Sequence, residues 1–240
     1  MAKPRFAFLL LKEHPYGREM LKQILSEGFV PEVIIEEDSE IGTEEREKFL
    51  KRIKGNPIAP EISSQIEGKE IPHVTVSIHN SEKVMPHIEN IDLDLIVFGG
   101  TRIIRGDILD FPKDGVINSH PGLLPDCRGS ASPAWSVYHD IPIGSSTHFC
   151  DNGIDTGDLL FRREIPVKRG MCYEDVCYET LALAGVLMID ALIAFDEGRW
   201  DELRRSQGES QWPTFRNAPQ DILDKVYEKL ENQTYQHYVD

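Results

Sequence analysis

The sequence predicts an α/β protein built on a doubly wound, mostly parallel sheet with helices on both faces. Three observations predict it. Short, nearly uninterrupted apolar runs recur through the first half of the chain, as strands buried on both faces require. Segments with apolar residues at three- and four-residue spacing lie between them, as amphipathic helices do. The alternation of the two is the pattern of repeated strand–helix–strand units. The chain has 240 residues, 40% of them hydrophobic, enough for one large core with an appended segment.

Taken in order, Arg5 to Leu11 is predicted as the first buried strand. A helix over Tyr16 to Ser26 follows, with Met20, Leu21, Ile24 and Leu25 on one face and Gly28 closing it. Pro31 to Glu36 is the second strand. The acidic stretch from Glu37 to Glu47 reads as a solvated loop running into a helix over Glu44 to Lys54. Ile71 to Val76 is a third strand, and Ser81 to Ile88 a helix with Ser81 as its N-cap. Leu93 to Phe98 is a strand that stops at Gly99-Gly100, and Gly115 to Asn118 is a short one. Pro121 to Pro133 is rich in Pro, Gly and Ser and is expected as an ordered loop. Ser145 to Cys150 and Leu159 to Val167 are expected as strands. Tyr173 to Glu197 is expected as a long helix whose stripe of Cys177, Leu181, Ala184 and Met188 packs in the core. From Trp200 onward the character is mixed, with Trp212, Phe215 and Tyr227 available for docking.

Charge removes several functions. Lys plus Arg total 26 against 41 Asp plus Glu, a formal net charge of −15 at pH 7. Nucleic-acid affinity rests on cations neutralising phosphates, so neither nucleic acid nor an anionic membrane surface is expected as a partner. The apolar runs fall short of the ~18–20 residues that span a bilayer, and no cleavage-site pattern follows the N-terminus. The four cysteines, Cys127, Cys150, Cys172 and Cys177, show no C-x-x-C pair and no zinc spacing. They read as reduced thiols of a cytoplasmic protein. A glycine-rich dinucleotide turn, a P-loop, an H-E-x-x-H pair and a G-x-S-x-G elbow are all missing. No metal site is expected.

Ligands of open α/β sheets bind beyond the carboxyl ends of the strands. Two such ends carry chemistry: Gly99 to Arg102, and Asn118-Ser119-His120. Together with Asp155 in the turn after Cys150, they present a carboxamide, an imidazole and a carboxylate. That trio suits acyl transfer between nitrogens. The amide N–H can donate to a developing oxyanion. The imidazole can stabilise charge or move protons near neutral pH, and the carboxylate can accept a proton or orient the ring. His148 is expected in a supporting role, and Thr147 as structural.

The residues also resemble a known family, the 10-formyltetrahydrofolate-dependent formyltransferases. That group includes glycinamide ribonucleotide, methionyl-tRNA and sugar-amine N-formyltransferases. The resemblance rests on N-x-H-P-x-L-L-P from Asn118 to Pro125 and on D-x-G-x-D-x-G from Asp151 to Gly157. It covers roughly Leu93 to Val167. It implies a Rossmann-like fold of the formyltransferase type and Asn118, His120 and Asp155 as the catalytic triad. It implies a folate pocket from Arg102, Ile103 and Ile104 and from the loop of Cys150, Asp151, Asn152, Gly153 and Ile154. 10-Formyltetrahydrofolate is the implied co-substrate, and no metal is required. The implied reaction is attack by a primary amine on the formyl carbon through a tetrahedral intermediate. Asn118 and a protonated His120 would stabilise the oxygen, and Asp155 would shuttle the amine proton. Residues 1–199 are accordingly expected as the catalytic domain and 200–240 as a helical or irregular extension.

Departures from the family narrow the acceptor. Glycinamide ribonucleotide enzymes carry a Gly/Ser/Asn-rich phosphate turn after the first strand, where this chain reads Lys12-Glu13-His14-Pro15. Lys12, Arg18 and Arg128 stand as candidate substrate-binding cations. The tRNA enzymes add a C-terminal β-barrel and basic patches, which the acidic balance and the helical end of this sequence do not suggest. The folate deformylases add a regulatory domain ahead of the first strand, which here starts at Arg5. The expected activity is therefore formyl transfer to a small amine, an amino sugar or an amino-acid derivative. The alternatives are methionyl-tRNA or phosphoribosylglycinamide formyltransferase, 10-formyltetrahydrofolate hydrolase, and a non-catalytic folate-binding module.

Overall fold

A computed structural model describes residues 3–239. Its first strand, β1 (Phe6–Leu11), is buried along its whole length. Successive side chains of a strand alternate between faces. Phe6, Phe8 and Leu10 accordingly enter one core and Ala7 and Leu9 the other. A strand apolar on both faces belongs in the middle of a covered sheet, and β1 is there. The chain continues through α1 (Pro15–Ser26), β2 (Val33–Glu37), α2 (Glu40–Arg52), the single-turn α3 (Ile62–Gln65) and β3 (His73–Val76). It then forms α4 (Ser81–Ile88), β4 (Leu95–Phe98), β5 (Gly115–His120), α5 (Ser132–His139), β6 (Gly144–Phe149) and β7 (Leu159–Glu164). Three helices close it: α6 (Tyr173–Asp196), α7 (Trp200–Leu203) and α8 (Gln220–Glu231).

Among the described residues seven strands make one sheet in the order β3-β2-β1-β4-β5-β6-β7. The first five are parallel, and β6 pairs antiparallel with both β5 and β7. The mostly parallel α/β sheet is thus as the sequence predicts. α1 and α6 cover one face with Met20, Ile24, Leu181 and Met188, and α4 covers the other with Val84 and Ile88. After β3 at the edge the chain crosses back to lay β4 beside β1, so the winding direction reverses between β1 and β4. Such a switch point leaves a crevice at the carboxyl ends of the two strands. Here those ends are Leu11 and Phe98, and the Leu11 N–H reaches across to the Gly100 carbonyl at 3.0 Å.

Several boundaries differ from expectation, each for a local reason. The acidic stretch after Glu37 is not a loop up to Glu44. α2 begins at Glu40, because the Ser39 hydroxyl accepts the Gly42 N–H at 3.0 Å and its carboxylates stay largely outside the core. The cap of α4 is Asn80, whose Oδ1 accepts from Lys83 at 3.0 Å, and Ser81 is the first helical residue. The predicted loop through Pro133 already contains the start of α5, where Pro133 supplies the fixed φ of a first turn. β7 stops at Glu164, three residues before Val167. In the tail, α8 buries Ile222, Val226 and Leu230 against α5 and α6. Phe215 stacks on Trp135 with ring centroids 4.9 Å apart, and Tyr227 donates to Glu174 at 2.8 Å. α6, at 24 residues, is long and apolar enough to cross a bilayer, which inspection of short apolar runs did not register. Its Leu181, Ala184, Met188 and Ala191 pack in the same core as Phe8 and Ile24.

The entry to α1 depends on an uncharged histidine. His14 is the N-cap, and its Nδ1 accepts the Tyr16 N–H at 3.2 Å. Accepting requires a lone pair, so the ring must be neutral. Burial, helped by the nearby Arg52 and Arg46, pulls its pKa down to about 3. The unfolded chain binds this proton below about 6.5 and the folded chain does not. Stability from this group is therefore full above pH 6.5 and is lost as pH falls from about 6.5 towards about 3. His14→Asn keeps a capping oxygen and removes the titration. Between pH 7 and pH 4.5, urea unfolding of the wild type should lose roughly 2–3 kcal/mol more than the variant does. Equal losses would show that His14 is not the linked group.

Candidate active site

The pleat and the strand register assemble the first part of the site. Asn118 and His120 are two residues apart on β5, and side chains at i and i+2 share a face. Phe98 of β4 pairs with Asn118 on one side, and His148 of β6 is its partner on the other. Asn118 Nδ2 lies 3.4 Å from His148 Nε2. The opposite face is taken by Ser119 and Thr147, whose hydroxyls pair at 2.6 Å. The Tyr16 hydroxyl donates to the Ser119 carbonyl and ties α1 to the same strand end.

The turn after β6 brings in the carboxylate. Asp151 Oδ1 accepts from the Gly153 N–H at 2.9 Å and the Thr156 hydroxyl at 2.6 Å, which closes the turn. Asp155 sits at φ +52, in the left-handed region that Asp tolerates better than most residues. Its Oδ2 accepts the Gly129 N–H at 2.8 Å and stands 3.5 Å from His120 Nδ1. Its Oδ1 is 3.5 Å from His148 Nε2. Gln207 holds this turn from outside, donating from Nε2 to the carbonyls of Asp155 at 2.9 Å and Gly157 at 2.5 Å.

The protonation states follow from these contacts. Burial alone would raise the Asp155 pKa, but His120, His148 and the Gly129 N–H outweigh it and hold the carboxyl well below its usual range. For His120 burial is the larger effect and pushes the pKa below 6.5, with Asp155 opposing and His148 assisting. Burial thus favours the neutral ring over the protonated His120 that the resemblance implies. Its Nε2 is 2.7 Å from the Cys127 carbonyl, which can only accept, so Nε2 carries the hydrogen. Ser132 Oγ lies 2.9 Å from the same nitrogen. Nδ1 is left with a lone pair facing Asp155. A side chain at Gly122 would put its Cβ 2.8 Å from both His120 Nε2 and the Cys127 oxygen, so this seat requires glycine.

Asn118, His120, His148 and Asp155 all line a cavity of about 700 Å³ at the carboxyl ends of the strands. Arg102, Ile103 and Ile104 line it from one side, and Cys150, Asp151, Gly153 and Ile154 from another. Arg102 Nη1 donates to the buried Glu37 at 3.2 Å. Asn152 lies outside the lining, its carbonyl accepting from Arg105 at 3.3 Å. The three candidate substrate cations are also outside it and engaged elsewhere. Lys12 pairs with Asp38 at 2.6 Å, Arg18 donates to the Ala59 and Pro60 carbonyls, and Arg128 donates to Gln207 Oε1 at 2.9 Å. Besides Arg102, two further cations line the cavity, Arg52 and Arg216; they carry no sequence signal, because only folding brings the end of α2 and the tail to it. Among the described residues no group of three or more His, Cys, Asp or Glu is disposed to hold a metal ion.

A switch-point crevice holding a carboxamide, two imidazoles and a carboxylate defines an α/β protein with a polar site for a small ligand. The chain belongs to the formyl transferase family, whose model matches residues 7–192. It is 37% identical over 105 residues to methionyl-tRNA formyltransferase of Ruminiclostridium cellulolyticum, a match covering 43% of this chain and 34% of that one. The fold is similar to glycinamide ribonucleotide transformylase 1 from Symbiobacterium toebii. There the TM-score is 0.62 at 20% identity, over 82% of this chain and 89% of that one. A sugar N-formyltransferase from Shewanella sp FDAARGOS_354 gives 0.60 at 17% identity, over 90% and 78% of the two chains. The chain spans 31–49% of the length of the curated methionyl-tRNA formyltransferases it is compared with.

The coupling of His120 to Asp155 has a signed consequence. The carboxylate raises the His120 pKa against burial, so Asp155→Asn should lower it further. Proton NMR of the His120 ring should show a midpoint below 6.5 in the wild type and a lower one in the variant. A midpoint that rises in Asp155→Asn would contradict the arrangement.

Proposed function

We propose that the chain transfers a formyl group from 10-formyltetrahydrofolate to a primary amine of a small metabolite, an amino sugar or an amino-acid derivative. The observation that carries this reading is the convergence of Asn118, His120 and Asp155 on one cavity. The cavity also suits the co-substrate. Phe98, Ile104 and Ile154 offer apolar walls for a flat ring, and the backbone of 102–104, Asp151 and Gly153 offers polar groups for its edge. A net charge of −15 favours a small acceptor over tRNA.

When bound, 10-formyltetrahydrofolate supplies a formyl carbon attached to a nitrogen that departs once protonated. Asn118 donates an amide N–H to the formyl oxygen, where negative charge grows as the amine attacks. Neutral His120 takes the amine proton at Nδ1, its ring held by the Cys127 carbonyl at Nε2. Asp155, ionised and 3.5 Å away, stabilises the imidazolium so formed. His120 then releases the proton to the departing nitrogen.

The test is a panel of primary amines incubated with 10-formyltetrahydrofolate, read by mass spectrometry as the gain of one formyl group. A formylated small amine with matching tetrahydrofolate release supports the reading. Formate released at full rate without any amine selects hydrolysis, and a product found on methionyl-tRNA alone selects the tRNA acceptor. Folate binding with no turnover leaves a binding module. Asn118→Ala should lower kcat by about 10²–10³-fold, the usual loss of one oxyanion donor. Activity should fall as pH drops through a value below 6.5, where His120 loses its accepting lone pair.

A further inference from the structure

The cavity extends to a second end that the proton chemistry above does not use. Arg52, in the last turn of α2, and Arg216, in the tail, line it together with His14 and Asn217. Arg52 Nη2 donates to Asn217 Oδ1 at 3.3 Å, which joins helix and tail. The tail is fixed there by backbone: Phe215 N–H donates to the Arg128 carbonyl at 2.8 Å, and Ser130 N–H to the Phe215 carbonyl at 3.0 Å. Trp135 Nε1 adds a bond to the Arg216 carbonyl at 2.7 Å. The intervening Gly129 is the residue whose N–H holds Asp155, so one loop positions both ends of the cavity.

Two cations, Arg52 and Arg216, line this end of the cavity. Acidic groups outnumber basic ones by 41 to 26. Yet among the described residues neither Arg52 nor Arg216 lies within ion-pair distance of a carboxylate, while Lys12, Arg18 and Arg102 all do. The carboxylate that shares this end of the lining, Glu45, is already paired with Lys48 at 3.0 Å. Arg46, on the same helix, adds positive field, and its Nη1 donates to the Lys12 carbonyl at 3.2 Å. Two unpaired guanidiniums on one cavity wall match the planar oxygens of a carboxylate or phosphate.

We propose that Arg52 and Arg216 bind an oxyanion, carboxylate or phosphate, carried by the acceptor, which makes the substrate class an oxyanion-bearing primary amine. The substrate assignment rests on the formyl-transfer reading, while the anion site stands apart from it. Its first test needs no turnover. Inorganic phosphate and acetate are titrated separately into the whole protein, and the Arg52 and Arg216 side-chain N–H resonances are followed by NMR. Saturable shifts of both are expected, with binding about tenfold weaker in Arg52→Gln and in Arg216→Gln. A response to phosphate alone or to acetate alone assigns the group. No response to either, or binding unchanged in both variants, overturns the site. Arg216 is exposed, so its substitution does not endanger the fold. The second test compares matched amines with and without an anionic group. Arg216→Gln should raise KM for the anionic amine and leave kcat near the wild-type value. Equal use of neutral and anionic amines by wild type and variant overturns the substrate class. Anion binding without any formylated amine would instead remove the formyl-transfer reading and leave the anion site standing.

Discussion

The register between β5 and β6 is the constraint on which the rest of the site depends. Side chains alternate along a strand, so a slip of one residue would send Asn118 and His120 to the opposite face and leave Ser119 in the cavity. The pairing of Asn118 with His148 and of Ser119 with Thr147 excludes that slip. Ile117, wholly buried opposite Phe149, holds the same register through the apolar core. Tyr16 on the Ser119 carbonyl then locks the strand end to α1. The geometry of the polar groups is therefore set by packing several residues away from them.

Within that frame, a buried carboxylate decides the electrostatics. Removing a carboxylate from water costs several kcal/mol unless partners compensate it. Asp155 accepts the Gly129 N–H and lies beside His120 and His148, and its pKa is held well below the usual carboxylate range. The same burial keeps His120 neutral with Nδ1 free. A neutral ring beside a fixed negative charge can take up a proton and give it back, which a ring already protonated cannot do. The left-handed backbone at Asp155 is held by Gln207, and Gln207 by Arg128. The tail thus supports the site without entering the chemistry.

The tail also closes the far end of the cavity. Phe215 bridges to the 128–130 loop, and Arg216 and Asn217 meet Arg52 across it. Sugar-amine, glycinamide ribonucleotide and methionyl-tRNA formyltransferases share the fold or the family with this chain. Differences in acceptor among such proteins arise in elements outside the common sheet. In this chain the end of α2 and the tail line the cavity from outside the sheet.

The sequence by itself determined the alternation of strands and helices, because buried strands and amphipathic helices leave different periodicities. It predicted a strand ending at Asn118, whereas β5 runs to His120 and so puts Asn118 and His120 on one face. The turn residues around Asp155 were legible for the same local reason. α8 was expected only within a helical or irregular extension, although Ile222, Val226 and Leu230 stand at four-residue spacing. Tertiary structure alone decided the burial that lowers the His120 pKa, because burial is a property of the packed chain. It decided that Lys12, Arg18 and Arg128 are engaged by Asp38, backbone carbonyls and Gln207, while Arg52 and Arg216 face the cavity. Residues 164 positions apart meet only when the chain folds, and no local pattern records which cation will find a partner on the way.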